Sequence, residues 1–311
     1  METADVSVAV QGEPGCNSAL AAETFFAGTR LELLPCRTFA DLFNVVAARM
    51  ADFALVPVEN SLGGAVHQVW ELLERSRYLV VGELYYRVRH CLIGHPNVPL
   101  QEIRRVYSHE QALAQCRRFL ARLVWIDPQD VIATYDTAGA VKMVRARGRR
   151  EEAAIASPRA AEIYGMQALA TDIQTDPDNY TRFLVLRGPE GQPTGSRSAP
   201  GGHRPPPLSC DPGSPLKTTL ILTVDDNTQP LPRLLERLAA AGFGVLRVET
   251  VKVLGQPWRY RVYLDLQADA RDAAWDPTHA PVPGDLVHTL RWVGTYPLAP
   301  RPRPERQSPA S

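Results

Sequence analysis

The 311-residue chain has few cysteines and they are scattered. Cys16, Cys36, Cys91, Cys116 and Cys210 form no Cys-x-x-Cys pair, which excludes a disulfide scaffold and leaves reduced thiols as the expectation. No run approaches 18 apolar residues, so no membrane-spanning helix is expected. Net charge is missing too: Lys+Arg 34 balance Asp+Glu 34, and without a basic field neither nucleic acid nor an anionic membrane is an expected partner. Met1-Glu2-Thr3-Ala4-Asp5 is acidic where a secretory leader is basic and then apolar, pointing to a soluble, cytoplasmic protein. His90 and His95 flank Cys91 at a spacing that matches no standard ligand set, so no metal is expected there.

What is present is ordinary globular material, 45% hydrophobic and 22% charged, in an amount that suggests two domains. Residues 188–215 are dense in Gly, Pro and Ser without periodic apolar positions, and read as a flexible linker over 189–215. Residues 300–311 alternate Arg and Pro, have nothing to bury, and read as a disordered tail. Before the linker, strands are expected at 6–10, 53–58 and 182–186, with 78–89 extended and a strand ending at 106–107. Helices are expected at 18–26, 39–49, 67–75, 110–120, 137–145 and 157–164, which makes an α/β domain. After it, 218–224, 231–241, 245–253, 259–266, 285–293 and 295–298 fit strand, helix, strand, strand, helix, strand, a βαββαβ sandwich. So small a sheet exposes an edge, and pairing with a second copy follows as an expectation.

Chemistry-bearing residues cluster in turns after strands, where open α/β sheets bind ligands. QGEPGCNS (11–18) opens a helix with backbone N–H groups and is neither a dinucleotide fingerprint nor a Walker loop. PVENSLGG (57–64) places Glu59, Asn60 and Ser61 at a strand's carboxyl end; Ser61 as a helix cap and Glu59 as a solvated charge is the plain alternative. YSHEQALAQC (107–116) offers Ser108 or His109 as N-cap, with Gln111 and Gln115 one helical turn apart. An adjacent Ser-His pair is not a hydrolase dyad, since no nucleophile elbow accompanies it. Asp136 and Thr137 open a further helix in DTAGA (136–140). NYTRF (179–183) brings Thr181, a neutral donor, and Arg182, a natural bidentate partner for a carboxylate.

These motifs, with AAIASPRAAEIYG (153–165), resemble in order those of prephenate dehydratases, over about residues 6–188. The resemblance implies a two-lobed catalytic domain, 1–188, similar in plan to periplasmic binding proteins. One lobe would hold about 6–77 and 174–187, the other about 78–173, with the active site between them. It also implies an ACT domain, a ferredoxin-like α+β module, at 216–299. The implied reaction turns prephenate into phenylpyruvate, CO₂ and water without cofactor or metal. On this resemblance Thr181 would hydrogen-bond the leaving hydroxyl and Glu59, kept protonated by desolvation, would be a proton source or network partner. Arg182 would clamp a carboxylate and Phe183 would pack near the ring. Asn60, Ser108, Gln115 and Asp136 would orient substrate, with Ser61, His109 and Thr137 as further candidates.

The ACT portion departs from the family where an effector is expected, reading Gln229-Pro230-Leu231-Pro232 and Glu249-Thr250-Val251-Lys252 in place of Gly-Ala-Leu and Glu-Ser-Arg-Pro. Leu231, Glu249 and Thr250 are the effector candidates, for L-phenylalanine or another ligand, in a homodimer or homotetramer; a dimerisation module is the plain alternative. Arogenate dehydratase and a non-catalytic amino-acid sensor are the competing functions. No mutase or dehydrogenase portion is expected, which makes a monofunctional enzyme.

Overall fold

The structure, a computed structural model, describes residues 5–188, 215–225, 230–268 and 286–304. The expected linker falls outside the described residues save for Pro215, as does the tail from residue 305.

The chain begins β1 (Val6–Gln11), α1 (Asn17–Phe25), β2 (Leu31–Cys36), α2 (Phe39–Ala47), β3 (Phe53–Asn60), β4 (Gly64–Ala65), α3 (His67–Arg75) and β5 (Leu79–Arg87). β1 runs parallel to both β2 and β3, and its near-continuous apolar sequence suits a strand covered on both faces. A capping box between Thr38 and Asp41 starts α2. β2 is a strand that the sequence reading passed over: LELLPC contains Pro35, tolerated because β2 is a sheet edge.

A second sheet follows, from β6 (Cys91–Gly94), β7 (Arg105–His109), α4 (Glu110–Gln115), α5 (Arg117–Leu120), β8 (Val131–Thr134), α6 (Thr137–Arg147), β9 (Glu152–Ala156), α7 (Pro158–Tyr164) and β10 (Gln167–Ala170). Its order is β10-β6-β9-β7-β8, with β7 parallel to β8 and β9. The single helix expected over 110–120 breaks at Cys116 into α4 and α5. The chain then returns as β11 (Tyr180–Arg187), completing the first sheet in the order β2-β1-β3-β11-β5. β5 therefore belongs to the first sheet, and the chain changes sheets between 87 and 91 rather than at 78. The apolar start of β5 reads equally well in either sheet, and only strand pairing decides it.

The remaining elements are β12 (Leu216–Asp225), α8 (Pro230–Ala240), β13 (Gly244–Lys252), β14 (Arg259–Ala268) and β15 (Thr289–Pro297). Their antiparallel order β13-β14-β12-β15 is that of a βαββαβ module. Leu234 and Leu238 of α8 pack on Leu220, Leu222, Leu264 and Leu266. The helix expected at 285–293 is a strand instead, in the part described. Thr289, Trp292, Val293, Thr295 and Tyr296 favour extended backbone, and alternation puts Leu290 and Trp292 on the helix-covered face.

By compactness the described residues fall into two units, one of residues 5–70, 84–183 and 300–304, the other of 71–83 and the described residues from 184 to 299. In the second unit, residues 71–83 lie against the sheet face away from α8. A Cβ on Gly294 would meet the Val80 carbonyl oxygen at 2.2 Å, so only glycine allows that approach.

Candidate functional site

Asn60 ends β3, and its orientation is fixed by the backbone. Its Oδ1 accepts hydrogen bonds from the N–H groups of Leu62 (3.1 Å) and Gly63 (2.8 Å), which can only donate. Nδ2 must therefore face the other way, where it donates to Asn179 Oδ1 (2.9 Å), Thr181 Oγ1 (3.0 Å) and the Tyr180 carbonyl (3.2 Å). Gln115, at the end of α4, reaches Asn60 Oδ1 with its Nε2 (3.3 Å), so its Oε1 accepts from Asn179 Nδ2 and lies 2.9 Å from His90 Nε2. Two backbone N–H groups thus set the direction of every amide in the network. The consequence falls on Thr181, 8% exposed: its oxygen is taken as an acceptor by Asn60, which leaves its hydroxyl proton to be given elsewhere.

Strand pleating separates the neighbouring candidates. Glu59 and Asn60 alternate on β3, and Thr181 and Arg182 on β11, so Asn60 meets Thr181 on one face while Glu59 meets Arg182 on the other. Arg182 is 2% exposed and its Nη1 lies 3.9 Å from Glu59 Oε2, which turns it away from Thr181 instead of toward a shared ligand. The Glu59 side chain is 42% exposed. Phe183, expected beside a substrate ring, is buried in β11.

Other candidates hold the framework. Ser61 Oγ donates to the Asp178 carbonyl (2.8 Å) and accepts from the Tyr180 N–H (2.9 Å), latching the turn after β3 to the start of β11. Ser108 is fully buried and donates to the Ile155 carbonyl (2.6 Å), which ties β7 to β9 and turns its hydroxyl away from any ligand. His109 caps α4 through Nδ1, and Thr137 opens α6 half-buried. Asp136 caps α6 by accepting from the Gly139 N–H (2.9 Å) and also takes the Glu13 N–H (3.1 Å), joining the turn after β1 to the second sheet. Glu13 itself is held by Tyr135 Oη (3.1 Å) and Lys142 Nζ (2.9 Å); burial first, then the Glu13 carboxylate, pushes the Tyr135 hydroxyl up to about 12. In the same turn Gly15 (φ +86°) gives its carbonyl to Ser157 Oγ, and a Cβ there would sit 2.9 Å from Ala160 Cα.

Of the effector candidates, Leu231 packs half-buried in the α8 core, Glu249 pairs with Arg247, and Thr250 is exposed on the edge strand β13. Each occupies a different environment. Among the described residues no three His, Cys, Asp or Glu side chains cluster as a metal site would require.

The sequence model of the prephenate dehydratase family matches residues 8–190. The chain belongs to the prephenate dehydratase family. An Arabidopsis thaliana protein named arogenate dehydratase/prephenate dehydratase 2, chloroplastic, is 34% identical over 94% of this chain and 73% of its own length. A bifunctional N-acyl-homoserine lactone acylase/prephenate dehydratase of Komagataeibacter europaeus is 36% identical over 80% of each. The solved prephenate dehydratase of Arthrobacter aurescens, in complex with L-Phe, superposes with a TM-score of 0.76 at 25% identity, over 98% of this chain and 93% of that one. The segment matched to the prephenate dehydratase family holds the whole Asn60 network. Two of its members, Asn179 and His90, were not among the site residues expected from sequence: Asn179 entered only as the first residue of NYTRF, and His90 only as a metal-ligand candidate set aside. Asn179 stands beside Thr181 in NYTRF, and its position there was the available signal. His90 carried no signal for this network, because its partner Gln115 is 25 residues away.

Proposed function

We propose that this chain catalyses the decarboxylating dehydration of prephenate to phenylpyruvate, CO₂ and water, with residues 1–188 as the catalytic portion and 216–299 as an ACT domain. As the ring carboxylate leaves as CO₂, its C–C bonding pair enters the ring. The C–O bond breaks at the opposite carbon, its pair leaves with the hydroxide, and one proton completes the water. Aromatisation drives the change, so the barrier lies in expelling hydroxide, and the enzyme's task is a donor aimed at that oxygen. The observation that carries the reading is Thr181, whose acceptor side is filled by Asn60 and whose proton remains available. A hydroxyl is too weak an acid to surrender that proton outright; it stabilises the departing oxygen by hydrogen bonding, and the released hydroxide takes up a solvent proton (hydronium or buffer acid) to become water. Arg182 and Glu59 form an ion pair at 3.9 Å on the other strand face.

Arogenate differs only in carrying an amino group for the side-chain keto oxygen, and the names of the plant relatives favour it as a second substrate. The acylase half of the Komagataeibacter name is not carried over. Acyl transfer needs a nucleophile beside a base, and Ser61 and Ser108 donate to backbone carbonyls while Thr181 is met by the donating end of a neutral amide, which is no base. For the ACT portion, the L-Phe of the Arthrobacter complex supports L-phenylalanine as effector, with Leu231, Glu249 and Thr250 as contacts. The edge strand β13 supports assembly with a second copy. Side-by-side assays of the full chain on prephenate and arogenate, with and without phenylalanine, test the reading. Phenylpyruvate release from prephenate is expected, slowed by phenylalanine; activity on neither substrate would overturn it.

A further inference from the structure

His90 lies in the segment where the chain leaves the first sheet for the second, and that segment is bonded to the one returning. Its own N–H donates to Gln174 Oε1 (3.0 Å) and its carbonyl accepts from the Ile173 N–H (3.1 Å). The imidazole is 2% exposed. Its Nε2 lies 2.9 Å from Gln115 Oε1, an oxygen already accepting from Asn179 Nδ2, while its Nδ1 is buried without a hydrogen-bond partner. Because Gln115 offers an oxygen there, only an Nε2–H tautomer makes this bond. Burial lowers the pKa of His90 below its ordinary value and favours the neutral ring.

We propose that His90 is a positioning residue of the reaction: its Nε2–H holds the Gln115 amide so that Gln115 supports Asn60, and Asn60 in turn keeps the Thr181 hydroxyl available as a donor. The backbone N–H groups of Leu62 and Gly63 anchor one end of this chain of bonds and His90 anchors the other. Between the two anchors, the Gln115 to Asn60 bond, at 3.3 Å, is the longest link. Losing the His90 donor leaves Gln115 Oε1 with one donor, Asn179, and lets that long link open.

The proposal rests on the dehydratase reading, and its test separates the two. His90→Leu keeps bulk and removes the donor, whereas the amide of His90→Gln places a donor near the position of Nε2. In the full-length enzyme, checked for folding by thermal melts, His90→Leu is expected to lower kcat on prephenate about tenfold or more at little-changed KM, with His90→Gln retaining most of it. Wild-type kcat in His90→Leu, equal losses in both variants, or a change in KM alone would overturn the proposal. ¹⁵N NMR of the wild-type imidazole gives a readout independent of turnover and of any variant's folding. A proton on Nε2 and none on Nδ1 is expected; a proton on Nδ1 alone would overturn the proposal even if the substrate assignment stood. Inactivity of the wild type on both substrates would instead count against the dehydratase reading, while the NMR still decided the tautomer.

Discussion

Around Asn60 the buried polar contacts are made by amides, a hydroxyl and an imidazole, whereas in the second unit they centre on full charges. There the Lys217 ammonium lies 2.7 and 2.9 Å from the two oxygens of Glu83, with both side chains almost wholly buried. Beside them Thr219 donates to Asp265 (2.7 Å), so the Tyr296 hydroxyl, 2.6 Å away, donates to Thr219. The Ala299 N–H reaches Glu83 as well (3.1 Å). An ion pair so placed is held by mutual need, since each charge would be very costly alone; its removal is felt as stability. Neutral amides cost less to bury and carry direction, because each has one donating and one accepting end. The first arrangement suits holding an element in place, the second suits aiming a single proton.

The sharpest way to break this contrast is Lys217→Met. It takes the ammonium away from the buried Glu83 carboxylate and is expected to cost about 3–5 kcal/mol in thermal or denaturant unfolding of the full chain. The double variant Lys217→Met/Glu83→Leu should recover most of that loss, and a single variant as stable as wild type would remove the distinction. Next in size, Asn60→Leu should lower kcat about a hundredfold, because the hydroxyl of Thr181 is then free to turn; assays beside a melt separate this from unfolding. A pH dependence follows from His90. The unfolded chain takes up a proton near pH 6.5 and the folded protein, with its lowered pKa, resists it. Stability is therefore complete above about 6.5 and falls as the pH drops from there toward the folded value, by up to about 1.4 kcal/mol per pH unit. Unfolding measured from pH 7.5 to 5 should show a steeper fall in stability in wild type than in His90→Gln, the difference being the His90 contribution. The smallest effect belongs to Ser108→Ala, expected to cost about 1 kcal/mol of stability with kcat unchanged, since its hydroxyl only links β7 to β9.

Much of this was legible in the sequence, and the failures have identifiable causes. Strand-to-helix turns announce themselves through Gly, Pro and capping residues, which is why the segments holding Asn60, Asp136 and Thr181 were found. β2 was hidden by Pro35, and β15 by an apolar pattern too short to separate a period of 2 from one of 3.6. Within the site, the family resemblance pointed to Arg182 and Glu59 alongside Thr181, yet pleating puts them on the opposite strand face. Which face a residue takes is decided by strand register, and that is written in the pairing of β3 with β11, 120 residues apart. Separation in sequence likewise concealed the roles of His90 and Asn179, whose partner Gln115 lies 25 and 64 residues away, since a hydrogen bond between remote side chains leaves no local pattern.

The most direct measurement is steady-state turnover of prephenate by Thr181→Ser and Thr181→Val, with folding verified in each. The account predicts that serine keeps most of kcat and that valine, the same shape without the hydroxyl, loses at least about a hundredfold with KM nearly unchanged. A valine variant turning over at close to the wild-type rate would contradict it.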